Sequence, residues 1–327
     1  MRDHEISDCE MLVKQPVVSV LMMAYNHAPY IERAIQSVLE QASDCRIELL
    51  IGEDRSQDET LEIAKKYQAR HSGTIRILTA AVNVGAGENY RRLIRAARGE
   101  FIAYLDGDDY WLPGKLVRQL GYLRAHLGCV AVFTNAVAVN EAGRPMGVFN
   151  DVGNASFDLA SILRRGNFLN NSSVLFDAKG RDLVLGMSGE FIDYQVHLAL
   201  AQRGRLDQIG EMLVAYRVNA MGSMLTGMNE HVRKRYWQAV QSVPRELVSD
   251  ADYARGITDF LRRVFFRSIR ARDPSLLRAW AARIYAASPY GARRTTALVA
   301  ANIMRMIGKM TFGRLRGPRH RRVLYLR

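Results

Sequence analysis

The sequence predicts an α/β protein, a mainly parallel sheet flanked by helices, followed by a helical, basic C-terminal extension. Three observations carry that expectation. Strand-like and helix-like runs alternate through the first two hundred residues, the pattern of successive βαβ units. A short apolar run, Phe101 to Leu105, leads straight into Asp106, Asp108 and Asp109. Residues 228–327 hold 22 Lys+Arg against 6 Asp+Glu, a net of +16, whereas the rest of the chain carries −3.

The elements follow in order. VVSVLMM, residues 17–23, is an apolar run of strand length,. Pro29 opens a helical pattern through IERAIQSVLEQ, in the first turn where proline is tolerated,. RIELLIGED, residues 46–54, is a second strand, and Ser56 with Glu59 has the spacing of a capping box for the helix DETLEIAKKYQARH,. TIRILTA is a third strand, NYRRLIRAAR a third helix and FIAYL the fourth strand. The acid cluster therefore stands at a strand's carboxyl end, where open α/β sheets present their ligand crevice.

Chemistry concentrates on that edge. Three carboxylates within four residues repel one another unless a cation sits among them, and a divalent metal carrying phosphates answers that need. By itself the cluster also fits a solvated Asp/Gly turn. The first strand ends in Ala24-Tyr25-Asn26 and the second in Glu53-Asp54. Asp54 is placed to accept from a base or ribose donor, while Ser56 and Asp58 read as helix caps. The chain has no G-x-G-x-x-G after the first strand and no G-x-x-x-x-G-K-[ST], which counts against a dinucleotide oxidoreductase and a P-loop NTPase. A nucleotidyltransferase would want a Gly-rich, Lys/Arg-bearing loop where AYNHAPY stands.

Taken together, VSVLMMAYNHAPYIERAIQSVLEQ, IGEDRSQDET and NVGAGENYRRLIRAARGEFIAYLDGDDYW resemble an inverting family 2 glycosyltransferase of the GT-A fold, from about Pro16 to Met224. The resemblance implies a nucleotide-sugar donor, UDP- or dTDP-linked, and Mn²⁺ or Mg²⁺. It puts Asp54 on the nucleobase, Asp106 on the ribose and Asp108 on the metal, with Asp109 supporting the loop and Ala24, Tyr25 and Gly107 on the donor side. It also implies a base at the start of a later helix, here Asp193, with Glu190 as the rival. LALAQRGRLDQIGEMLVAYR then matches the family's helix, turn and closing strand. Two departures stand out. Ile192 takes a place where the family often has Glu or Gly, and Tyr216-Arg217-Val218-Asn219 ends in Asn where a metal-reaching His is common. Imidazole is the better ligand for a transition metal, so Asn219 weakens metal holding or meets phosphate directly. Arg217 can add positive charge near the diphosphate. These departures leave open a relative that binds nucleotide sugars without turnover.

The segment from Arg144 to Phe176 is expected to select the acceptor, with Asn170 and Asn171 suited to sugar hydroxyls. His197 reads as a packed structural histidine. The division expected is a polar arm over 1–15, a catalytic domain over 16–227 and a basic helical region over 228–327. Arg-rich amphipathic runs in that last region fit an anionic membrane surface, or a helical bundle with a solvated basic face. The longest uncharged apolar window, Thr295 to Met304, falls short of the ~20 residues that span a bilayer, so association is expected to be peripheral. Nothing in the motifs supports nucleic acid. Three scattered cysteines, Cys9, Cys45 and Cys129, fit reduced thiols,, and the opening residues lack the apolar stretch of a signal peptide. The expected setting is the cytoplasmic face of the plasma membrane, with a glycan or lipid-linked acceptor and a role in surface polysaccharide or glycolipid synthesis.

Overall fold

A computed structural model describes residues 4–6, 17–43, 45–218, 230–315 and 323–325. Its strands are β1 (His4–Ile6), β2 (Val18–Ala24), β3 (Ile47–Glu53), β4 (Ile75–Thr79), β5 (Phe101–Asp106), β6 (Tyr110–Trp111), β7 (Cys129–Val139), β8 (Pro145–Asn150), β9 (Ala155–Phe157), β10 (Leu175–Asp177), β11 (Arg205–Arg217) and β12 (Val323–Tyr325). The helices are α1 (Ile31–Leu39), α2 (Thr60–Arg70), α3 (Ala86–Ala96), α4 (Lys115–Ala125), α5 (Leu159–Arg165), α6 (Arg181–Leu185), α7 (Asp193–Ala201), α8 (Glu230–Gln241), α9 (Asp250–Ala271), α10 (Pro274–Ala287) and α11 (Ala292–Leu315).

The main sheet runs β1-β4-β3-β2-β5-β10-β7-β11-β6. Its β4-β3-β2-β5 stretch is parallel throughout, and the connections are α1, α2 and α3, the βαβ units that the alternating runs predict. The chain steps outward from β2 to β3 to β4, then returns to set β5 on the other side of β2. That reversal leaves a crevice outside the carboxyl ends of β2 and β5, the favoured ligand position in such sheets. Beyond β5 the sheet becomes mixed. The short β10 pairs antiparallel with both β5 and β7, and β7 runs parallel to β11.

Strand periodicity divides the core between two faces. Val18, Val20 and Met22 of β2 pack with α1 and α4, while Leu21 joins Leu93 and Ile94 of α3 on the opposite face, as the two-residue repeat requires. Glu48 and Arg76 are buried as an ion pair at 2.9 Å, and Glu48 also accepts from Ser19 Oγ at 2.5 Å, so neither charge is left uncompensated.

The capping box expected ahead of α2 does not form. Glu59 occupies the N-cap position without a side-chain cap, because Ser56 Oγ instead accepts from Asn26 N at 3.0 Å. Asp58 takes over the work at that end, accepting from Thr60 N and Ala28 N, both at 3.0 Å.

Helices α8 to α10 pack on the sheet domain through one continuous core, in which Ile162 and Leu163 of α5 meet Tyr253, Ile257 and Phe260 of α9. The approach is close at Gly256, where a Cβ would lie 2.8 Å from Leu163 Cγ and 2.9 Å from Leu163 O. Trp237 of α8, Phe260 of α9 and Trp280 of α10 form an aromatic cluster, with Phe260 and Trp280 at 5.1 Å between ring centroids. Ser249 caps α9, and Asp273 caps α10 ahead of Pro274,. Among the described residues, no helix is long and apolar enough to cross a membrane.

Candidate active site

A cavity of about 460 Å³ opens at the carboxyl ends of β2 and β5, and Ala24, Tyr25, Asp54, Asp106, Asp108, Asn170, Asn171, Asp193 and Arg217 all border it. Residues separated by up to 193 positions in the chain therefore converge on one crevice. Gly107 and Asp109 stand behind its wall, Glu190 stands outside it, and Asn219 lies outside the described residues.

The acid loop is built from opposite roles in neighbouring residues. Asp109 is buried and fully engaged: Oδ2 accepts from Ser172 Oγ at 2.6 Å and Oδ1 from Arg217 N at 2.7 Å. Asp106 accepts from Tyr104 Oη at 2.5 Å. Asp108 faces the cavity. Burial pushes the Asp106 carboxyl up to about 6, with Asp108 adding to the rise. Burial likewise raises Asp108 to about 6, and lifts Asp109 well above the carboxylate range with both neighbours contributing. Gly107 permits the turn to seat. A Cβ there would lie 2.7 Å from His27 Nδ1 and 2.9 Å from Met23 O.

The floor beneath this loop is rigid. Trp111 is fully buried and donates from Nε1 to Ser172 O at 2.8 Å. Lys115 Nζ sits 3.9 Å from the centre of the Trp111 ring and donates to Gln119 Oε1 at 2.7 Å. Burial holds the Lys115 amine well below its usual range. Arg217 is buried as well. Its side chain donates to the carbonyls of Asp108 (2.9 Å), Asn140 (2.9 Å) and Glu141 (2.5 Å), and its guanidinium lies 4.4 Å from the Tyr30 ring centre. Arg217 thus braces the acid loop while placing a positive charge beside Asp108, whose pKa it lowers.

On the β3 side, the Asp54 carboxylate accepts from Val84 N at 2.7 Å and Gly85 N at 3.0 Å. It holds the loop ahead of α3 in place and keeps lone pairs toward the cavity. Asn26 and Arg55, just past β2 and β3, adopt positive φ of 54° and 63°, a conformation that costs a non-glycine residue about 1–2 kcal/mol. Asn26 Oδ1 offsets part of that cost by accepting from Gln57 N at 2.8 Å.

On the far side, Asp193 opens α7. Both of its oxygens lie 2.9 Å from Asn167 Nδ2, and Oδ1 accepts from Tyr194 N at 2.8 Å. Glu190 is directed elsewhere, to Gly87 N at 3.4 Å and Arg235 at 3.7 Å. His197 is buried against Phe133, its Nε2 3.2 Å from Asn171 Oδ1, and burial lowers it to about 4. The Tyr90 hydroxyl and Asn170 Oδ1 are buried at the cavity with no hydrogen-bond partner among the described residues, a condition that a polar ligand would relieve.

Sequence reasoning missed His27, Tyr90, Asn167 and Ser172 as site residues, and it missed the two α8 side chains, Val232 and Tyr236, that border the cavity. Tyr90 carried a signal: it shares the stripe of Leu93, Ile94 and Ala97, and a tyrosine turned inward needs a hydroxyl partner.

The fit to a divalent cation can be judged from the donors. Asp106 and Asp108 offer hard carboxylate oxygens to one cavity, which suits Mg²⁺ or Mn²⁺. Among the described residues, no set of three or more His, Cys, Asp or Glu side chains is arranged to hold a metal. The residues therefore fit an ion shared with a phosphate-bearing ligand rather than a cage made by protein alone.

The α/β domain thus brings acidic side chains at its switch point and a carboxylate from a later helix to one cavity. Residues 19–171 match the family model for glycosyl transferase family 2. An uncharacterized protein of Mycobacterium tuberculosis, Rv1520, is 27% identical over 223 residues, a match spanning 68% of this chain and 64% of that protein. Among solved structures, S. aureus TarS 1-349 in complex with UDP-GlcNAc superposes with a TM-score of 0.64 at 16% identity, covering 90% of this chain and 92% of that one. The mannosyltransferase PcManGT from Pyrobaculum calidifontis, in complex with GDP-Man and Mn²⁺, gives 0.54 at 18% identity, covering 91% and 88%. The fold is thus the GT-A architecture that the resemblance implies.

Proposed function

We propose that this chain is an inverting glycosyltransferase that moves a sugar from a nucleoside-diphosphate donor to a hydroxyl of a glycan or lipid-linked acceptor. The observation that carries the reading is the convergence of Asp193 with Asp106 and Asp108 on one cavity from segments more than eighty residues apart. Asp193 accepts the proton of the acceptor hydroxyl, and Asn167 holds its carboxylate in place for that task. The oxygen so activated forms its bond to the anomeric carbon. The bond to the donor phosphate breaks on the opposite face, and its electron pair leaves with the diphosphate. Asp54 supports the nucleoside end, and Arg217 keeps the loop of Asp106 and Asp108 beneath the phosphates. A Mg²⁺ or Mn²⁺ bound at Asp108, with Asp106 on the ribose side, would neutralise charge on the departing diphosphate. Solved relatives of the fold hold UDP-GlcNAc or GDP-Man, which supports a nucleotide sugar as donor without selecting the base.

The reading extends to the setting. The basic helical region would rest on an anionic membrane on the cytoplasmic side, near acceptors of surface polysaccharide or glycolipid synthesis. Supporting it, Met304 and Ile307 of α11 are exposed on one face, with Arg293, Arg294 and Arg305 also exposed.

Donor hydrolysis tests the chemistry. UDP-, dTDP- and GDP-sugars are offered to the full chain with and without Mn²⁺. Asp193→Asn should lower hydrolysis at least ~100-fold, the usual scale of general-base catalysis, with nucleotide binding held within about twofold, and Glu190→Gln should retain most turnover. Undiminished hydrolysis by Asp193→Asn would remove the base from this scheme.

A further inference from the structure

Helix α8 lies beyond the segment that matches the family, yet it forms part of the cavity. Val232 and Tyr236, one helical turn apart, border the crevice together with Asp193,. Another face of the same helix is fixed to the C-terminal helices, where Trp237 packs with Phe260 and Trp280 and Trp280 Nε1 donates to Glu230 at 3.4 Å. Arg235 ties α8 to Glu190, three residues before Asp193, at 3.7 Å. The Tyr236 ring is 5.5 Å from that of Tyr194, the residue next to Asp193, with 31° between the planes. An aromatic side chain is therefore held at a set place in the cavity that the carboxylate borders.

The polar groups around it differ in kind. Asn167, Asn170 and Asn171 supply amides to the same cavity, and Asn170 Oδ1 and the Tyr90 hydroxyl are buried without partners among the described residues. A pyranose ring matches this combination: one face of C–H bonds that rests on an aromatic ring, and a rim of hydroxyls that exchange hydrogen bonds with amides. A bare alkyl or polyprenyl alcohol would leave the amides unsatisfied.

We propose that Tyr236 is the stacking platform of the acceptor subsite, and that the group it receives is a pyranose ring whose hydroxyl is presented to Asp193. This rests on the transferase reading and adds to it the acceptor's chemical class and a binding residue in the C-terminal helical region. The packing of Trp237 in the neighbouring cluster then fixes where the acceptor sits.

Saturation-transfer NMR on the full chain, with UDP or GDP and Mn²⁺ present, tests this with methyl glucopyranoside, galactopyranoside, mannopyranoside and N-acetylglucosaminide as probes. At least one should receive saturation at its ring C–H protons. Tyr236→Phe should preserve the effect. Tyr236→Leu, which keeps apolar bulk and loses the ring, should weaken binding by about fivefold, the scale of a single aromatic contact. Nucleotide binding is measured in the same samples, and circular dichroism checks the fold. Should Tyr236→Leu prove unfolded, Val232→Trp, which fills the cavity from the same helix, replaces it and should abolish pyranoside contact. A chain that binds nucleotide but saturates no pyranoside, or that saturates octanol instead, overturns the acceptor assignment alone. Equal binding by wild type and a folded Tyr236→Leu does so too.

Discussion

Asp108 and Asp109 are adjacent carboxylates whose removal should change stability in opposite directions. Asp108 borders the cavity, and its carboxyl is raised from 3.8 to about 6 by burial. Raised affinity for the proton means that the charged form is disfavoured in the fold. The native state binds more protons than the unfolded chain between pH 3.8 and about 6, so stability falls as pH rises through that window, and the full cost remains above it. At about 1.4 kcal/mol per unit, the ceiling is about 3 kcal/mol. Partial solvent access at Asp108 reduces the working figure to about 1–2 kcal/mol. Asp108→Asn should therefore gain about 1–2 kcal/mol at pH 7.5 in EDTA, and most of that gain should disappear near pH 4. Asp109→Ala should lose about 2–4 kcal/mol, since it strands the Arg217 amide and leaves the Ser172 hydroxyl to donate only over its longer contact to Asp106 Oδ2 at 3.4 Å,. Urea denaturation of both variants at the two pH values provides the comparison. Adding Mn²⁺ with UDP should then favour wild type over Asp108→Asn, because a ligand stabilises only the state that binds it. An Asp108→Asn protein less stable than wild type at pH 7.5 would refute the claim that this side chain is held at a cost to the fold.

Two further outcomes are expected. His197, lowered from 6.5 to about 4 by burial, leaves the unfolded chain with more bound protons in that window, so its share of stability should decline by about 3 kcal/mol as pH falls from 6.5 to 4. His197→Gln lacks this term, and a stability difference from wild type that stays constant over the same range would contradict it. The full chain should sediment with phosphatidylglycerol vesicles and not with phosphatidylcholine vesicles at low salt, and be released by about 0.5 M NaCl as screening shortens the reach of its Arg side chains. Failure to sediment with either would exclude the membrane setting.

The parallel half of the fold could be read from the chain because apolar runs of strand length alternate with amphipathic helices. The acid loop followed from its place after FIAYL. Asp193 came from a resemblance in motif order, and its partner Asn167 was not legible, since it arrives from a loop 26 residues away. Ser56 shows why local rules fail here: its spacing to Glu59 suits a cap, but the strained loop at Asn26 claims its hydroxyl. Ser172, Trp111 and Lys115 form the floor of the loop only once β10 is threaded between β5 and β7, and no periodicity encodes that path. The C-terminal region was read by charge, which identifies exposed faces. The cavity-facing side of α8 carries Val232 and Tyr236, and that phase becomes visible only when Trp237 is seen to pack against Phe260 and Trp280.

The contact between Gly256 and Leu163 has a consequence for engineering. With no room for even a methyl group between α5 and α9, the C-terminal helices cannot be exchanged as a cassette by cutting in the segment before α8. A chimera meant to import another acceptor preference would have to bring α5 along with α8 and α9. Its seam would then fall within the sheet domain, where the join must also keep the register of β7 with β11.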